Sequence, residues 1–310
     1  MPKILVIDTE TTGLTPLNIS YKNYNSDDNK YKKMEMKKLQ SKNIITAKRA
    51  WEYWVMRWPH LIQLSYIFFD TDTNQVLRIY NKYLELPGDM KDALLADPAT
   101  LPMIKNVIHA STQESETLDS LSNVMAEFMQ DFDEADIIVG HNVMFERHML
   151  VASLMRTGKP AEPVLKSKKF VCTQELATPI CKMELAYTSK KNVYKFPKLR
   201  EMYAYMFGHE PPEHVLHNSL NDVLLTLRCY YWIFSRGEDI CKKNIQIRNM
   251  MEVLLPEETS SYVRPFSPTS YAKLWNKMRK SGKKSMKKSR KLMKMKKTRK
   301  VVEKKNFKKN

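Results

Sequence analysis

A chain of 310 residues, 43% apolar and 28% charged, has enough material to bury one substantial core, and no apolar run approaches the length that spans a bilayer. The net charge of +18 sits in one place: from Lys273 to Asn310 nineteen Lys and Arg face a single acid, Glu303, which leaves 33 bases and 33 acids to the first 272 residues. These figures argue against a membrane-inserted chain and against a uniformly basic body.

In chain order, Ile4 to Ile7 reads as a short buried strand that ends in Asp8-Thr-Glu-Thr-Thr-Gly. The opening Met-Pro-Lys-Ile-Leu-Val-Ile-Asp turns acidic before a signal-peptide core can form, so an intracellular address, cytoplasmic or nuclear, is expected. Residues 18–57 are polar, then aromatic at Trp51, Tyr53 and Trp54 with Trp58 just beyond, and read as an insertion. Leu61 to Asp70 and Val76 to Leu86 predict two antiparallel strands around the turn Thr71-Asp-Thr-Asn-Gln.

Helices are expected at Met90 to Leu95 and Leu118 to Phe132, a strand at Asp136 to Gly140, and a helix capped by Asn142 that runs to Arg156. Two more are expected at Leu199 to Phe207 and Ser219 to Phe234. This order predicts an α/β or α+β layered fold. Cys172, Cys181, Cys229 and Cys241 lack ligand spacing and read as reduced thiols within helix. Organisation fades after Glu257, where prolines precede the lysine-rich tail.

Asp8 and Glu10 lie two apart at a strand end, so both carboxylates fall on one face, a pairing that suits Mg²⁺ or Mn²⁺. A turn-forming Asp beside a solvated Glu is the plainer alternative. Gly140-His-Asn-Val-Met-Phe-Glu-Arg opens a helix and projects Glu146 from its first turn, where the helix dipole favours an acid in any case. Leu216-His-Asn-Ser-Leu-Asn-Asp opens another, and Ser219-x-x-Asp222 also has the spacing of a capping box. His217 would stand just ahead of that helix, and an imidazole suits removal of a proton from water near neutral pH.

Taken together, these segments resemble the DEDD-superfamily 3′–5′ exonucleases of the histidine-bearing, DnaQ-like branch. Val6-Ile-Asp-Thr-Glu-Thr-Thr-Gly-Leu14, His141-Asn-Val-Met-Phe-Glu146 and His217-Asn-Ser-Leu-Asn-Asp222 match the three motifs in order, over about Lys3 to Phe234. Further similarity lies at His60-Leu-Ile-Gln-Leu-Ser, at Ile108-His-Ala-Ser-Thr-Gln and at Phe196-Pro-Lys-Leu. The resemblance implies an RNase H-like mixed sheet flanked by helices and two Mg²⁺ or Mn²⁺ ions held by Asp8, Glu10, Glu146 and Asp222. His217 is the implied general base for release of nucleoside 5′-monophosphates from DNA or RNA 3′ ends.

Thr9, Thr11, Leu14, His109, Asn142 and Phe145 are the substrate-binding positions it implies, although Leu14 and Phe145 also read as core packing. Glu146 departs from the family's usual Asp, and the extra methylene moves its oxygens by more than ~1 Å, so reduced or metal-shifted activity is expected before none.

The resulting organisation is an exonuclease domain over 1–257, a linker over 258–272 and a Lys/Arg-rich flexible tail over 273–310. The tail has no aromatics between Met278 and Val302, which suits gripping phosphates over reading bases; a nuclear localisation signal or plain solvated disorder are the alternatives. A catalytically weakened nucleic-acid-binding module, or a scaffold that docks a polymerase or repair partner, are the rival functions. The richness in Lys, Asn, Ile and Tyr resembles proteins of large DNA viruses.

Overall fold

Ile4 to Ile7 are fully buried in β1 (Lys3–Thr11) because this strand is central to its sheet and covered on both faces. The computed structural model describes residues 2–13, 58–114, 118–161, 163–164, 168–184, 193–256 and 262–266. β1 pairs antiparallel with β2 (Leu61–Asp70), and β2 with β3 (Gln75–Tyr83). On its other side β1 pairs parallel with β4 (Ile137–Gly140), and β4 with β5 (Lys169–Cys172). The order β3-β2-β1-β4-β5 is the RNase H-like mixed sheet that was expected. Asp70 Oδ1 accepts the Asp72 N–H at 2.8 Å in the β2–β3 turn, which fits the predicted hairpin.

Helices α1 (Met90–Ala96), α2 (Pro102–Glu114) and α3 (Leu121–Glu134) separate β3 from β4. Helix α4 (Val143–Arg156) connects β4 towards β5, and α5 (Thr173–Cys181), α6 (Leu199–Phe207), α7 (Ser219–Ser235) and α8 (Ile245–Leu254) follow among the described residues. The period of two splits β1 between two cores. Ile4 and Val6, with Ile67 and Phe69 of β2, pack under α6 and α7. Leu5 and Ile7, with Tyr66 and Phe68, pack under α3 and α4. Helix α7 is apolar nearly all round because the sheet, α6 and α8 surround it, and so it is a fixed platform for its first turn. Among the described residues no helix is long and apolar enough to cross a membrane.

Three elements escape the sequence pattern. β5 has only four residues and starts on Lys169, so it carries little periodicity. Helix α5 contains Pro179, a residue that reads as a break but is accommodated near the helix end. Helix α2 opens on Pro102 and packs Ile104, Val107 and Ile108 against Ile62, Tyr83 and Leu86. The cysteines are free, but Cys172 closes β5 and Cys241 lies in the 3₁₀ turn Ile240–Lys242, so neither belongs to an α-helix.

Of the aromatic insertion, Trp51, Tyr53 and Trp54 lie outside the described residues, as do Leu14 and the tail 273–310. Trp58 packs on α4, its ring centroid 4.8 Å from that of His148. Within the 258–272 segment, residues Tyr262–Phe266 lie against α6 and α7. Arg264 N–H donates to Met206 O at 2.8 Å, Trp232 Nε1–H donates to Arg264 O at 3.1 Å, and the Phe266 ring lies 5.0 Å from that of Trp232.

Candidate active site

The alternation that sends Ile4 and Val6 under α7 sends Asp8 and Glu10 to the same face, at the end of β1 where the apolar run stops. Thr9, between them, faces α4. There its hydroxyl donates to Glu146 Oε2 at 2.5 Å, and both residues are buried. Glu146 therefore reaches the sheet edge from the first turn of α4, while Asp222 reaches it from the first turn of α7.

The capping-box reading of Ser219-x-x-Asp222 does not hold. Asn218 is the N-cap, its Oδ1 accepting the N–H groups of Leu220 at 3.1 Å and Asn221 at 3.5 Å, while the Ser219 hydroxyl bonds Ser65. The Asp222 N–H goes to Asn218 O, so no terminal N–H of the helix claims the Asp222 carboxylate. Its Oδ1 is buried without a hydrogen-bond partner among the described residues. His217, just ahead of the cap, has a left-handed backbone with φ 63°. One ligand atom from each of Glu10, His217 and Asp222 falls within 4.8 Å of the others.

Only Glu10 and Asp222 of the four acids bring ligand atoms together with His217, but Asp8 and Glu146 feel the same charges, and each of the four is pushed towards its protonated form. Burial raises Glu10 to about 8, helped by Asp222. Burial raises Glu146 to about 8, with Glu10 and Asp222 adding to the rise and the Thr9 hydroxyl opposing it. Asp222 rises to about 7 through burial, against the His217 backbone N–H, which is directed at it. Asp8 rises well above the ordinary range through burial and then through Glu146, Asp222 and Glu10. Among the described residues no Lys or Arg pairs with any of the four.

Clustered acids without a basic partner, one with an orphaned oxygen, form an all-oxygen donor set that fits hard divalent cations. The residues therefore suit the ions that the motifs imply. His141, which opens the second motif, is a different case. It is half-buried, with Nδ1 3.2 Å from Thr173 Oγ1, and desolvation pushes it down to about 4.

The substrate-binding positions are dispersed. The Thr11 hydroxyl donates to Gly13 O at 2.6 Å. Phe145 is half-buried, its centroid 6.3 Å from that of Trp58. His109 is exposed on α2. Asn142 stands at the N-cap of α4 as expected, but it takes φ 65° and its side chain caps no N–H; a left-handed residue cannot aim its side chain as an extended N-cap does. Sequence reasoning assigned no role to Gln63 and Ser65, which stand opposite Glu10 and Asp8, or to Asn81 and Asn218, which hydrogen-bond to Gln63. The signal for the first two was present as polar residues two apart in an otherwise apolar strand.

No protein-family model matches the chain, and no curated protein sequence matches it. Among solved structures it is similar to E. coli exonuclease I. The zinc-bound complex of that protein with single-stranded DNA has 13% identity and a TM-score of 0.41, with 76% of this chain aligned to 43% of that one. Its complex with a dA16 oligonucleotide has 13% identity and a TM-score of 0.41, over 80% of this chain and 46% of that one. The apo form has 13% identity and a TM-score of 0.40, over 76% and 45%. The chain spans less than half the length of exonuclease I.

Proposed function

We propose that the chain is a divalent-cation-dependent 3′–5′ exonuclease that hydrolyses terminal phosphodiester bonds of DNA or RNA and releases nucleoside 5′-monophosphates. The observation that supports the reading is the approach of Glu10, His217 and Asp222, each with a ligand atom within 4.8 Å of the others, with Asp8 and Glu146 close enough to act on these acids electrostatically. The 3′ polarity and the two-ion stoichiometry rest on the motif resemblance.

Asp8, Glu10, Glu146 and Asp222 would hold two Mg²⁺ or Mn²⁺ ions. Bound there, such ions neutralise phosphate charge and ease deprotonation of water. The rest falls to the chain's own groups. His217, beside Glu10 and Asp222, takes the proton of the attacking water at its imidazole. Thr9 holds Glu146 in place through its hydroxyl, so the longer acid at this position is accommodated by a specific partner. The basic tail would hold the phosphate backbone through counterion release, an effect that weakens with salt.

The test is a substrate panel labelled separately at 3′ and 5′ ends, single- and double-stranded, DNA and RNA, with Mg²⁺ or Mn²⁺. The expected outcome is mononucleotide release from the 3′ label and a descending ladder from the 5′ label, both abolished in Asp8→Ala. Tight binding with no product from any substrate would overturn the assignment.

A further inference from the structure

Gln63 and Ser65 stand in register with the two carboxylates of β1: Glu10 faces Gln63 and Asp8 faces Ser65, and on the next strand Tyr83 and Asn81 continue the two rows. On a sheet face that is otherwise apolar under α7, this polar floor is an exception. Gln63, Ser65 and Ser219 are all fully buried. Buried polar groups cost stability unless each is paired, so their pairing carries information.

The pairing assigns itself. Ser65 Oγ donates to Asn81 Oδ1 at 2.8 Å, which uses its one hydrogen, so in the 2.5 Å contact with Ser219 the Ser219 hydroxyl is the donor. Gln63 Nε2 donates to the same Asn81 oxygen at 2.9 Å and to Asn218 Oδ1 at 3.4 Å, while Gln63 Oε1 accepts the Ser219 N–H at 3.1 Å. Asn218 Nδ2 donates to Tyr83 OH at 3.1 Å. Gln63 thus supplies the acceptor for the first backbone donor of α7, and Asn218 supplies it for the next two.

From this geometry we infer that Gln63 is a positioning residue: through Ser219 and Asn218 it sets the height and rotation of the first turn of α7 over the sheet, and so the distance of Asp222 and His217 from Glu10. The inference rests on the metal role proposed for those three residues. An apolar contact is non-directional and lets a helix slide, whereas hydrogen bonds from Gln63 and Ser65 to one turn pin it to a few tenths of an ångström. Metal and catalytic groups lose function on displacements of roughly 0.5–1 Å, so the clamp acts at the scale that matters.

The experiment uses the full chain. Mn²⁺ affinity is measured by electron paramagnetic resonance at neutral pH, thermal midpoint is measured without metal, and kcat and KM are measured on a single-stranded oligonucleotide. Gln63→Met keeps the volume and removes every hydrogen bond; Ile67→Val, on the same strand and face, is the packing control. The expected result is a loss of Mn²⁺ affinity of at least about tenfold in Gln63→Met, with kcat lowered more than KM is raised, while Ile67→Val stays within about twofold on both at a comparable midpoint.

If Gln63→Met does not fold, Ser65→Ala and Asn81→Ser, which each remove part of the clamp, carry the same comparison. Mn²⁺ binding in the clamp variants no weaker than in Ile67→Val would overturn the positioning role and leave the proposed function standing. A wild-type chain that holds no Mn²⁺ would overturn the metal site and the positioning role together.

Discussion

Thr9 and Glu146, 137 residues apart, are joined by a 2.5 Å hydrogen bond from the Thr9 hydroxyl to Glu146 Oε2. Thr9 lies on the opposite face of β1 from Asp8 and Glu10, so the bond fastens the first turn of α4 to the strand that carries the other acids. With a cation bound Glu146 is ionised, and a hydrogen bond to a charged group contributes about 1.5–3 kcal/mol. Thr9→Val is therefore expected to weaken Mn²⁺ binding or turnover by roughly 10- to 100-fold. In a Glu146→Asp background, where the shorter acid no longer reaches Thr9, the same substitution is expected to cost under about threefold. Equal losses in both backgrounds, in a double-mutant cycle, would exclude this coupling.

The crowding of carboxyls has a pH signature. Glu10 and Glu146 are held at about 8 and Asp222 at about 7, against ordinary values of 4.5 and 3.8 that apply in the unfolded chain. The folded state binds protons that the unfolded state has released, so stability is greatest below the unfolded values and is lost as pH rises through the folded ones. His141 works the other way but titrates below this range in the folded state, and its contribution is complete above about 6.5. Between pH 6.5 and 8.5, urea midpoints in EDTA should fall by an amount equivalent to ~1–4 kcal/mol. Saturating Mn²⁺ should flatten the slope, since cations replace the protons. A flat or rising midpoint in EDTA would argue against that crowding.

His217 occupies a left-handed backbone, φ 63°, that Gly and Asn adopt with little strain. His217→Gly and His217→Asn are expected to lower kcat by about 10²–10⁴-fold while KM changes little and the thermal midpoint is retained. His217→Ala, which keeps a Cβ as histidine does, should show the same kinetic loss with little change in thermal midpoint. Comparable losses in KM and kcat for the Gly and Asn variants would point to substrate binding instead of proton transfer.

Segment Tyr262–Phe266 defines where the body can be cut. A chain ending at Phe266 keeps the Arg264 bonds to Met206, Tyr205 and Trp232 and the Phe266–Trp232 ring contact. It is expected to melt like the full chain and to lose only salt-sensitive nucleic-acid binding. A chain ending at Pro256 leaves the Trp232 N–H without its acceptor and exposes its ring, which should cost roughly 2–4 kcal/mol. Calorimetry of the two truncations decides this; identical midpoints would mean that the segment adds nothing to the body.

Much of this arrangement was legible before any coordinates. The limits of α4, α6 and α7 fell within a residue of the expected ones because their apolar spacing and terminal Gly or polar residues act locally. Asp8, Glu10, Glu146, His217 and Asp222 were singled out by the motif resemblance; each lies at a strand end or helix start, but spacing alone left a turn acid, a solvated acid and a cap as the plainer readings. β5 and α5 were not, because four residues carry no period and Pro179 reads as a stop when its neighbours are unknown.

The sequence by itself determined which residues alternate to which face of β1, and hence that two acids emerge together at its end. Only the tertiary structure decided which of Asn218 and Ser219 caps α7. Ser65, 154 residues away from Ser219, draws its hydroxyl to the sheet, so the cap passes to Asn218 and Asp222 is left with a free carboxylate oxygen. Local patterns cannot settle such a choice, because two adjacent polar residues are nearly equal in capping strength and the difference is made by a partner brought near only by folding.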